Sequence, residues 1–342
     1  MKKFTRFCLI LGLVLCLCGG AAAAAGAVSG AWREITAQSA PLISRSGTEG
    51  SYRTLDYAAD AFSMVELQLS SEDVSITASK DGMLRIRYLA SDDAEYQTRT
   101  DPGVSGGGDT LVFSRNGTLH SPRFSFGFHY DEEEYEVLVE LPAGLSLSIL
   151  TGSGDVTVTN VSAGVLAIAA SSGDVTLQNC RIGGSCTVGT TSGELELENL
   201  TLSAEAHVES TSGDLELSHV ACEDSLSIFT TSGELELEDL TVRGDTSVDV
   251  TSGDVSLSGC TLSGDADLTA TSGDISGSAV FSGDVTIQTQ SGDIELNLSG
   301  SPAHALGDTR SQSGTLDIQG TDPDGSCVLN VTTASGDVQI RN

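Results

Sequence analysis

The chain is short of basic, aromatic and proline residues. Its 342 residues include 16 Lys and Arg against 48 Asp and Glu, giving a formal net charge of −32, with 5% aromatic residues and 6 prolines. A surface this acidic repels nucleic acid and anionic lipid headgroups, so neither is expected as a partner of the body of the protein. Apolar residues make up 39% of the chain and are regularly spaced, which excludes full disorder.

The usual sequence signatures of enzymes and zinc sites are also missing. There is no C-x-x-C pair, no G-x-S-x-G or H-E-x-x-H motif, no P-loop and no dinucleotide-binding fingerprint. The five histidines are scattered, without the spacing of a metal site. We therefore predict a protein without catalytic residues, which is not an enzyme.

The N-terminus has a basic start followed by an uncharged run. The basic residues are Lys2, Lys3 and Arg6. The run, residues 7–32, is strongly apolar as far as Cys18 and then nearly all Gly and Ala. Residues 1–32 are predicted to be either a signal peptide, cleaved near Ala25, or a retained helix that anchors the protein in the cell membrane. Both interpretations place the rest of the chain outside the cytoplasm, secreted or anchored with its C-terminus out, because positive charges stay inside.

A Ser-Gly-acid tripeptide recurs from residue 153 onward. Successive glycines are separated by 19, 20, 20, 20, 20, 20, 19, 22 and 22 residues. They are Gly154, Gly173, Gly193, Gly213, Gly233, Gly253, Gly273 and Gly292, followed by two looser copies at Gly314, which has Thr315 in the acid position, and Gly336. Chance does not produce such a series, so residues 151–342 are predicted to be an array of structural repeats.

Each repeat alternates like a β-strand, with breaks between strands. In the copy that starts at Gly193, apolar residues fall 2, 4, 7, 9, 13 and 15 places after the glycine. Apolar residues two places apart lie on the same face of a strand, and the longer gaps between these pairs mark corners. Two or three short strands in 20 residues predict one coil of a parallel β-solenoid, stacked on its neighbours around a shared core. Ten coils at about 4.8 Å each would make a rod of about 48 Å.

The repeated small residues are predicted to have structural roles. Glycine at a corner permits a positive φ or a close approach of two backbones. Serine precedes every glycine, and threonine comes one place earlier in five coils: Thr191, Thr211, Thr231, Thr251 and Thr271. Stacked in register, these hydroxyl groups are expected to form ladders from coil to coil.

Five cysteines of the repeat region fall at inward positions. They are Cys180, Cys186, Cys222, Cys260 and Cys327. Their number is odd, and no two occupy the same position in adjacent coils, so a regular set of disulfides is not expected. We predict that they are small core residues.

The SGD and SGE turns, each followed by V/L-x-V/L, resemble the bacterial putative-adhesin family of β-strand repeats, a domain of unknown function. The lead-in LPAGLSL at 141–147, which runs into TGSGDV at 151–156, supports the same resemblance. The resemblance covers roughly residues 60–342. It implies an extracytoplasmic parallel β-solenoid, often behind an N-terminal membrane helix, with no established catalytic residues.

The region before the repeats divides into parts of different character. Residues 33–59 are predicted to be a flexible stalk. Residues 60–150 are predicted to form irregular first coils or a cap, with an insertion at 92–134 that carries an acidic run. The insertion is rich in aromatic residues: Phe113, Phe124, Phe126, Phe128 and Tyr130. Some of them are expected to cover the open end of the solenoid, which otherwise exposes strand edges.

An acidic residue follows the corner glycine in each of the first eight coils. These residues are Asp155, Asp174, Glu194, Asp214, Glu234, Asp254, Asp274 and Asp293, and outward strand positions add Glu196, Glu198, Glu216, Glu236 and Glu238. Like charges about 4.8 Å apart repel by about 1 kcal/mol per pair even in bulk water. Two interpretations stay open: a solvated face that keeps the rod soluble, or a ladder of Ca²⁺ sites, since calcium takes six to eight oxygen ligands. Calcium is the one cofactor that the sequence suggests.

Together these features favour a non-enzymatic, extracytoplasmic cell-surface β-solenoid, an adhesin-like binding or scaffold module of a bacterial envelope. Its ligand would be an extracellular protein or a glycan, and it would touch the membrane only through an uncleaved N-terminal helix. The alternatives are a carbohydrate-active β-helix enzyme, either a lyase or a hydrolase, and a calcium-stabilised rod. Such an enzyme needs a walled groove, and coils of 19–22 residues leave only the excursion at 92–134 to build one.

Overall fold

The repeats wind into an all-β solenoid of about ten turns. The computed structural model describes residues 52–89, 95–102, 108–116, 136–298, 300–302 and 304–342. Several sequence predictions lie outside these residues: the export or anchor segment at 1–32, most of the stalk, the aromatic residues from Phe124 to Tyr130, and the acidic run at 131–134. The fold class predicted for the repeat region is confirmed.

The strands, numbered in chain order, fall into three groups. Upstream of the repeats lie β1 (Tyr52–Tyr57), β2 (Met64–Gln68), β3 (Asp73–Ala78), β4 (Leu84–Leu89), β5 (Glu95–Asp101), β6 (Thr110–Asn116), β7 (Glu136–Leu141) and β8 (Ser146–Thr151), with one 3₁₀ turn at Ala59–Ala61. The central coils contain β9 (Val156–Thr159), β10 (Ser162–Ala163), β11 (Leu166–Ala170), β12 (Val175–Gln178), β13 (Arg181–Ile182), β14 (Cys186–Ser192), β15 (Leu195–Glu198), β16 (Thr201–Leu202), β17 (Ala206–Ser212), β18 (Leu215–Ser218), β19 (Ala221–Cys222), β20 (Leu226–Ser232), β21 (Leu235–Glu238), β22 (Thr241–Val242) and β23 (Thr246–Ser252). The last coils contain β24 (Val255–Leu262), β25 (Ala266–Ser272), β26 (Ile275–Phe281), β27 (Val285–Ser291), β28 (Ile294–Asn297), β29 (His304–Ser311), β30 (Leu316–Ile318), β31 (Cys327–Ser335) and β32 (Val338–Arg341).

A central coil contains three strands, as β15, β16 and β17 show. Side chains alternate between buried and exposed along each strand, so the apolar positions of the repeat point inward. The first two strands of each coil join a 19-stranded sheet, and the third strand joins a 13-stranded sheet. Equivalent residues pair in parallel register, for example Leu195 with Leu215 and Ala206 with Leu226. The core between the sheets is therefore a set of apolar columns along the solenoid.

The N-terminal end departs from the parallel pattern. Strand β4 pairs antiparallel with both β1 and β7, and the β5–β6 hairpin adds an antiparallel pair to the other sheet. The predicted stalk at 33–59 extends too far, because Tyr52–Tyr57 forms an edge strand of the fold. Tyr57 of this strand is buried, and Asp56 forms an ion pair with Arg85 at 2.8 Å.

Inside this end, an aromatic cluster and a buried ion pair attach the hairpin to the first coil. Phe113 of β6 is fully buried, and its ring centroid lies 5.3 Å from those of Tyr88 and Tyr96. The Glu72 carboxylate has no exposed surface, accepts the N–H of Ser70 at 2.8 Å, and pairs with the guanidinium of Arg115. The described part of the insertion at 92–134 therefore extends a sheet and packs against the first coil.

At the C-terminal end, the order of the coils in space differs from their order in the sequence. Strands β31 and β32 pair with β27 and β28 on one side and with β29 and β30 on the other. The last coil in the sequence thus lies between two earlier coils. The two 22-residue intervals of the repeat belong to these copies. Each of these intervals is two or three residues longer than the usual spacing, which adds about 7–10 Å of extended chain. In the first interval the backbone passes over the position of one coil, and in the second it comes back to fill that position.

The outermost coil is more polar than the coil it covers. Opposite Val331 and Thr333 of the inner coil it places Thr309 and Ser311, and a register irregularity interrupts β29. Its Leu316 is 46% exposed, whereas Val338 beside it is 1% exposed. Burying the more apolar of the two sequences is favourable, which accounts for the exchanged order, and the polar coil covers the open end.

Among the described residues, no helix has the length and apolar character needed to cross a membrane.

The exchanged order can be tested by cross-linking on the outer face. Gln288 lies opposite Thr332 in the observed order, so Gln288→Cys with Thr332→Cys places two cysteines on adjacent strands and should form a disulfide on mild oxidation. Gln288→Cys with Arg310→Cys separates them by two coils, about 9.6 Å, and should stay reduced. Mass spectrometry of the oxidised proteins measures both, and the reverse result would show coils stacked in sequence order.

Candidate functional site

The corner glycines stack on one another along the solenoid. From Gly173 to Gly292, a Cβ atom added at each glycine would overlap the carbonyl oxygen of the glycine in the preceding coil. At the C-terminal end Gly336 lies against Gly292, and Gly314 lies against Gly336. Several of these residues also have φ values in the left-handed region, for example +138° at Gly233. Both the close backbone approach and the dihedral angle exclude a side chain here.

The first member of this stack is a glutamate. Glu72 lies where later coils have glycine, and a Cβ at Gly154 would overlap its carbonyl oxygen. The sequence Ser71-Glu72-Asp73 thus imitates a repeat at the end of the array. Among the described residues no further coil stacks on Glu72, so the corner has room for a side chain that joins the hairpin to the solenoid.

Threonine hydroxyls do form hydrogen bonds to this corner, but they belong to the position just before the predicted threonines. The side chains of Thr190 and Thr289, three residues before a corner glycine, are buried and donate to glycine carbonyl oxygens at 3.4 Å. The threonines one place later, such as Thr191 and Thr211, point outward. A buried hydroxyl needs a partner, and the corner carbonyl supplies it for Thr190 and Thr289, whereas Thr151 and Thr230 at the same position have none.

The carboxylate ladder at the corner is largely a backbone-bonding device. The Asp174 side chain accepts the N–H of Glu194 at 2.8 Å, Asp214 accepts that of Glu234 at 2.8 Å, and Asp254 accepts that of Asp274 at 2.8 Å. Asp73, Asp155, Asp274, Asp293 and Asp337 accept a backbone N–H from the neighbouring coil in the same way. Each aspartate thus caps the next coil through a charge-assisted hydrogen bond.

This arrangement gives the capping aspartates a structural role, and the calcium ladder stays a prediction. One oxygen of each capping aspartate already accepts a backbone N–H. Among the residues that the structure describes, no three His, Cys, Asp or Glu side chains are grouped so that they could hold a metal ion. Glu194 and Glu234, the two glutamates of the ladder, contribute their backbone N–H groups as donors to this corner.

A second ladder of aspartates lies at the corner before the third strand. The Asp245 side chain accepts the N–H of Asp265 at 3.1 Å, Asp265 accepts that of Asp284 at 3.0 Å, and Asp284 accepts that of Val328 at 2.8 Å. Sequence reasoning missed this ladder. Its signal is present as Ser-Gly-Asp at 263–265 and 282–284, offset by about half a coil from the main series.

The third corner of the coil carries residues in the left-handed conformation. Asn160, Asn179 and Asn199 have φ values between +55° and +58°, and the same position holds His219, Asp239 and Gly259 in the next coils. Asparagine tolerates this conformation better than most residues. The Asn199 side-chain amide donates to that of Asn179. This column was also missed, although asparagine six residues after the corner glycine is a readable signal.

The 19-stranded sheet presents a column of glutamates to solvent. Glu196, Glu216 and Glu236 lie opposite one another in three successive coils. Partial burial and the neighbouring charges of Glu236 and Glu196 raise the pKa of Glu216 above its ordinary value. The raised pKa shows that this face holds negative charge at a cost in free energy.

The cysteines lie in the core as predicted, with one exception. Cys180, Cys186, Cys222 and Cys260 are buried free thiols, and burial raises the pKa of Cys186 to about 12. Cys327, the first residue of β31, is only partly buried. The buried thiols therefore stay protonated and act as small apolar residues.

Comparison with protein families identifies the repeat. The sequence profile described as Toastrack DUF4097 matches residues 62–275 and 260–341. The chain belongs to the Toastrack DUF4097 family. The resemblance inferred from the SGD and SGE turns is thereby confirmed. No curated protein matches this Toastrack chain.

Three crystal structures are similar to the Toastrack chain over most of their length. A putative cell adhesion protein from Clostridium sporogenes ATCC 15579 aligns over 85% of this chain and 98% of its own, with 8% identity and a TM-score of 0.30. A putative adhesin from Bacteroides fragilis NCTC 9343 aligns over 84% and 96%, with 11% identity and a TM-score of 0.26. One from Parabacteroides merdae ATCC 43184 aligns over 72% and 97%, with 14% identity and a TM-score of 0.24. Similarity at this level carries no conclusion about activity.

The glycine stack can be tested with two alanine substitutions. Gly233→Ala drives a methyl group into the carbonyl of Gly213 and should destabilise the protein by about 2–4 kcal/mol. Gly189→Ala is the control, because a Cβ there would lie 3.6 Å from its nearest neighbour, the Glu209 carbonyl oxygen. Its effect should stay within about 0.5 kcal/mol. Urea denaturation midpoints measure both, and equal losses would contradict the stacking argument.

The glutamate column predicts a pH-dependent gain from neutralisation. Since the folded pKa of Glu216 is raised above its ordinary value of 4.5, the repulsion is absent below that value and fully present above the raised one. Glu216→Gln should therefore stabilise the protein by roughly 0.5 kcal/mol at pH 7, and the gain should vanish as the pH falls toward 4.5.

The matched control for this substitution is Glu295→Gln. Glu295 occupies the same outward position but lies between Ser276 and Gln339, so it has no acidic neighbour in its column. Thermal denaturation of both variants at several pH values gives the comparison. Equal gains for the two substitutions, or a gain at Glu216 that does not change with pH, would refute the repulsion.

Proposed function

We propose that this Toastrack protein is a non-enzymatic, extracytoplasmic cell-surface solenoid that acts as an adhesin-like binding or scaffold module. The observation that carries the proposal is the repeat surface itself. Its coils present side chains in flat, regular columns, and the corner carboxylates that could serve chemistry are engaged with backbone N–H groups. Such a surface suits contact over an area better than conversion of a small substrate.

The described part of the insertion supports a role without catalysis. A carbohydrate-active β-helix needs a groove walled by loops, with two carboxylates at catalytic separation. Strands β5 and β6 instead extend the 13-stranded sheet at its end. The buried carboxylate in this region, Glu72, is paired with Arg115 and accepts two backbone N–H groups. It is therefore committed to structure.

Two further features support a location outside the cytoplasm. The basic start and apolar run of residues 1–32 have the composition of an export or anchor segment, oriented with the solenoid outside. The four buried thiols are shielded from oxidants in solution, so the core does not require a reducing compartment. The acidic faces also discourage contact of the solenoid with anionic lipid headgroups.

The location can be tested by labelling a single lysine. Lys80 is the only lysine after residue 3, and it is exposed on the turn between β3 and β4. A membrane-impermeant amine reagent applied to intact cells should label the peptide that contains Lys80, as read by mass spectrometry. Lys80→Arg keeps the charge and should lose the label. Labelling of Lys80 only after cell lysis would rule out a surface location.

A further inference from the structure

We propose that a shallow trough on the 13-stranded sheet, near its C-terminal end, binds one ring of a neutral saccharide. This inference rests on the proposed function, since it names the ligand class of the surface module. The trough crosses strands β25, β27, β31 and β29 and has a volume of about 230 Å³. Ligand pockets for whole drug-sized molecules are larger, at roughly 300–1,000 Å³, so the size suits one unit of a longer polymer.

The trough exists because of side-chain length and coil order. Its floor is formed by Thr332 and Ala334 of β31, which are short. Gln288 and Gln290 of the coil on one side and Arg310 and Gln312 of the coil on the other rise above that floor. The walls are two coil spacings apart, about 9.6 Å. Had the coils stacked in sequence order, the short residues of β31 would lie outermost and the trough would have only one wall.

The lining differs in chemistry from the rest of the surface. It contains threonine hydroxyls, three glutamine amides and one guanidinium, and no carboxylate. Amides and hydroxyls both donate and accept hydrogen bonds, which matches the vicinal hydroxyl groups of a sugar. Arg310 is paired with Asp308 at 2.9 Å, so its charge is largely balanced. With the chain at a net charge of −32, an anionic sugar would be repelled, and a neutral one is favoured.

An extended peptide is a poorer fit for this location. Peptides that add to a sheet use the free N–H and C=O groups of an edge strand. The trough lies on the face of the sheet, where β27 and β31 pair with strands on both sides. The face therefore offers side chains alone, and these favour a ligand whose own hydrogen-bonding groups are hydroxyls.

The test uses the full chain and an array of neutral oligosaccharides built from glucose, galactose, mannose and N-acetylglucosamine. Binding of the best ligand is then measured by saturation-transfer NMR. Gln290→Ala with Gln312→Ala removes two wall amides, and Ala334→Gln fills the floor. Each should weaken binding at least tenfold. Thr231→Gln makes the same kind of change in the same column four coils away and should leave binding unaltered.

Each outcome decides the proposal. Binding of a neutral saccharide that both trough variants weaken, with Thr231→Gln unaffected, supports it. No neutral saccharide bound, binding that the trough variants leave intact, or preference for a galacturonate oligomer or an extended peptide overturns it. Ala334 is exposed, so Ala334→Gln should keep the wild-type melting temperature and isolate the loss of space. Failure here would leave the surface location untouched, because labelling of Lys80 tests that separately.

Discussion

Parallel hydrogen bonding between coils in strict register is the constraint on which the rest of the structure depends. It places each residue against the same position of the next coil, so every side chain must tolerate its own kind as a neighbour. Leucine on leucine forms the core, glycine on glycine lets backbones touch, and asparagine on asparagine forms a left-handed corner. The same rule brings Glu196, Glu216 and Glu236 together, where it is unfavourable. A repeat protein gains stability from its register and cannot avoid the repulsion that the register brings.

The period of the sequence was sufficient to predict the coil, its inward columns and its family, because a 20-residue repeat of alternating apolar pairs has few other solutions. The corners were harder. The columns of Asp245 and Asn199 are visible in the sequence, but both are weaker than the Ser-Gly-acid series and offset from it. The edge strand Tyr52–Tyr57 has no repeat signal and no regular alternation of burial, and what makes it a strand is its antiparallel pairing with β4. The exchange of the last two coils depends on the relative burial of two similar segments, which no local pattern reveals.

Charge divides the surface into regions of different use. Aspartates at two corners hold neighbouring coils together, which gives a strongly acidic chain a reason for part of its charge. Glu196, Glu216 and Glu236 on the 19-stranded sheet instead form a column of like charges that faces solvent. The carboxylate-free patch around Thr332 stands apart from both. On a molecule that repels most anions, the proposed saccharide site lies where the acids are missing.

The buried position of β31 and β32 separates the order of synthesis from the order of assembly. Residues 304–318 are synthesised before residues 327–341, yet they end up outside them. The later segment must enter a slot between two others, or the earlier one must wait unpaired until that slot is filled. Growth of the rod by simple addition of coils, one upon the next, therefore stops at residue 298. Sealing of its far end is a separate event that requires the final two coils together.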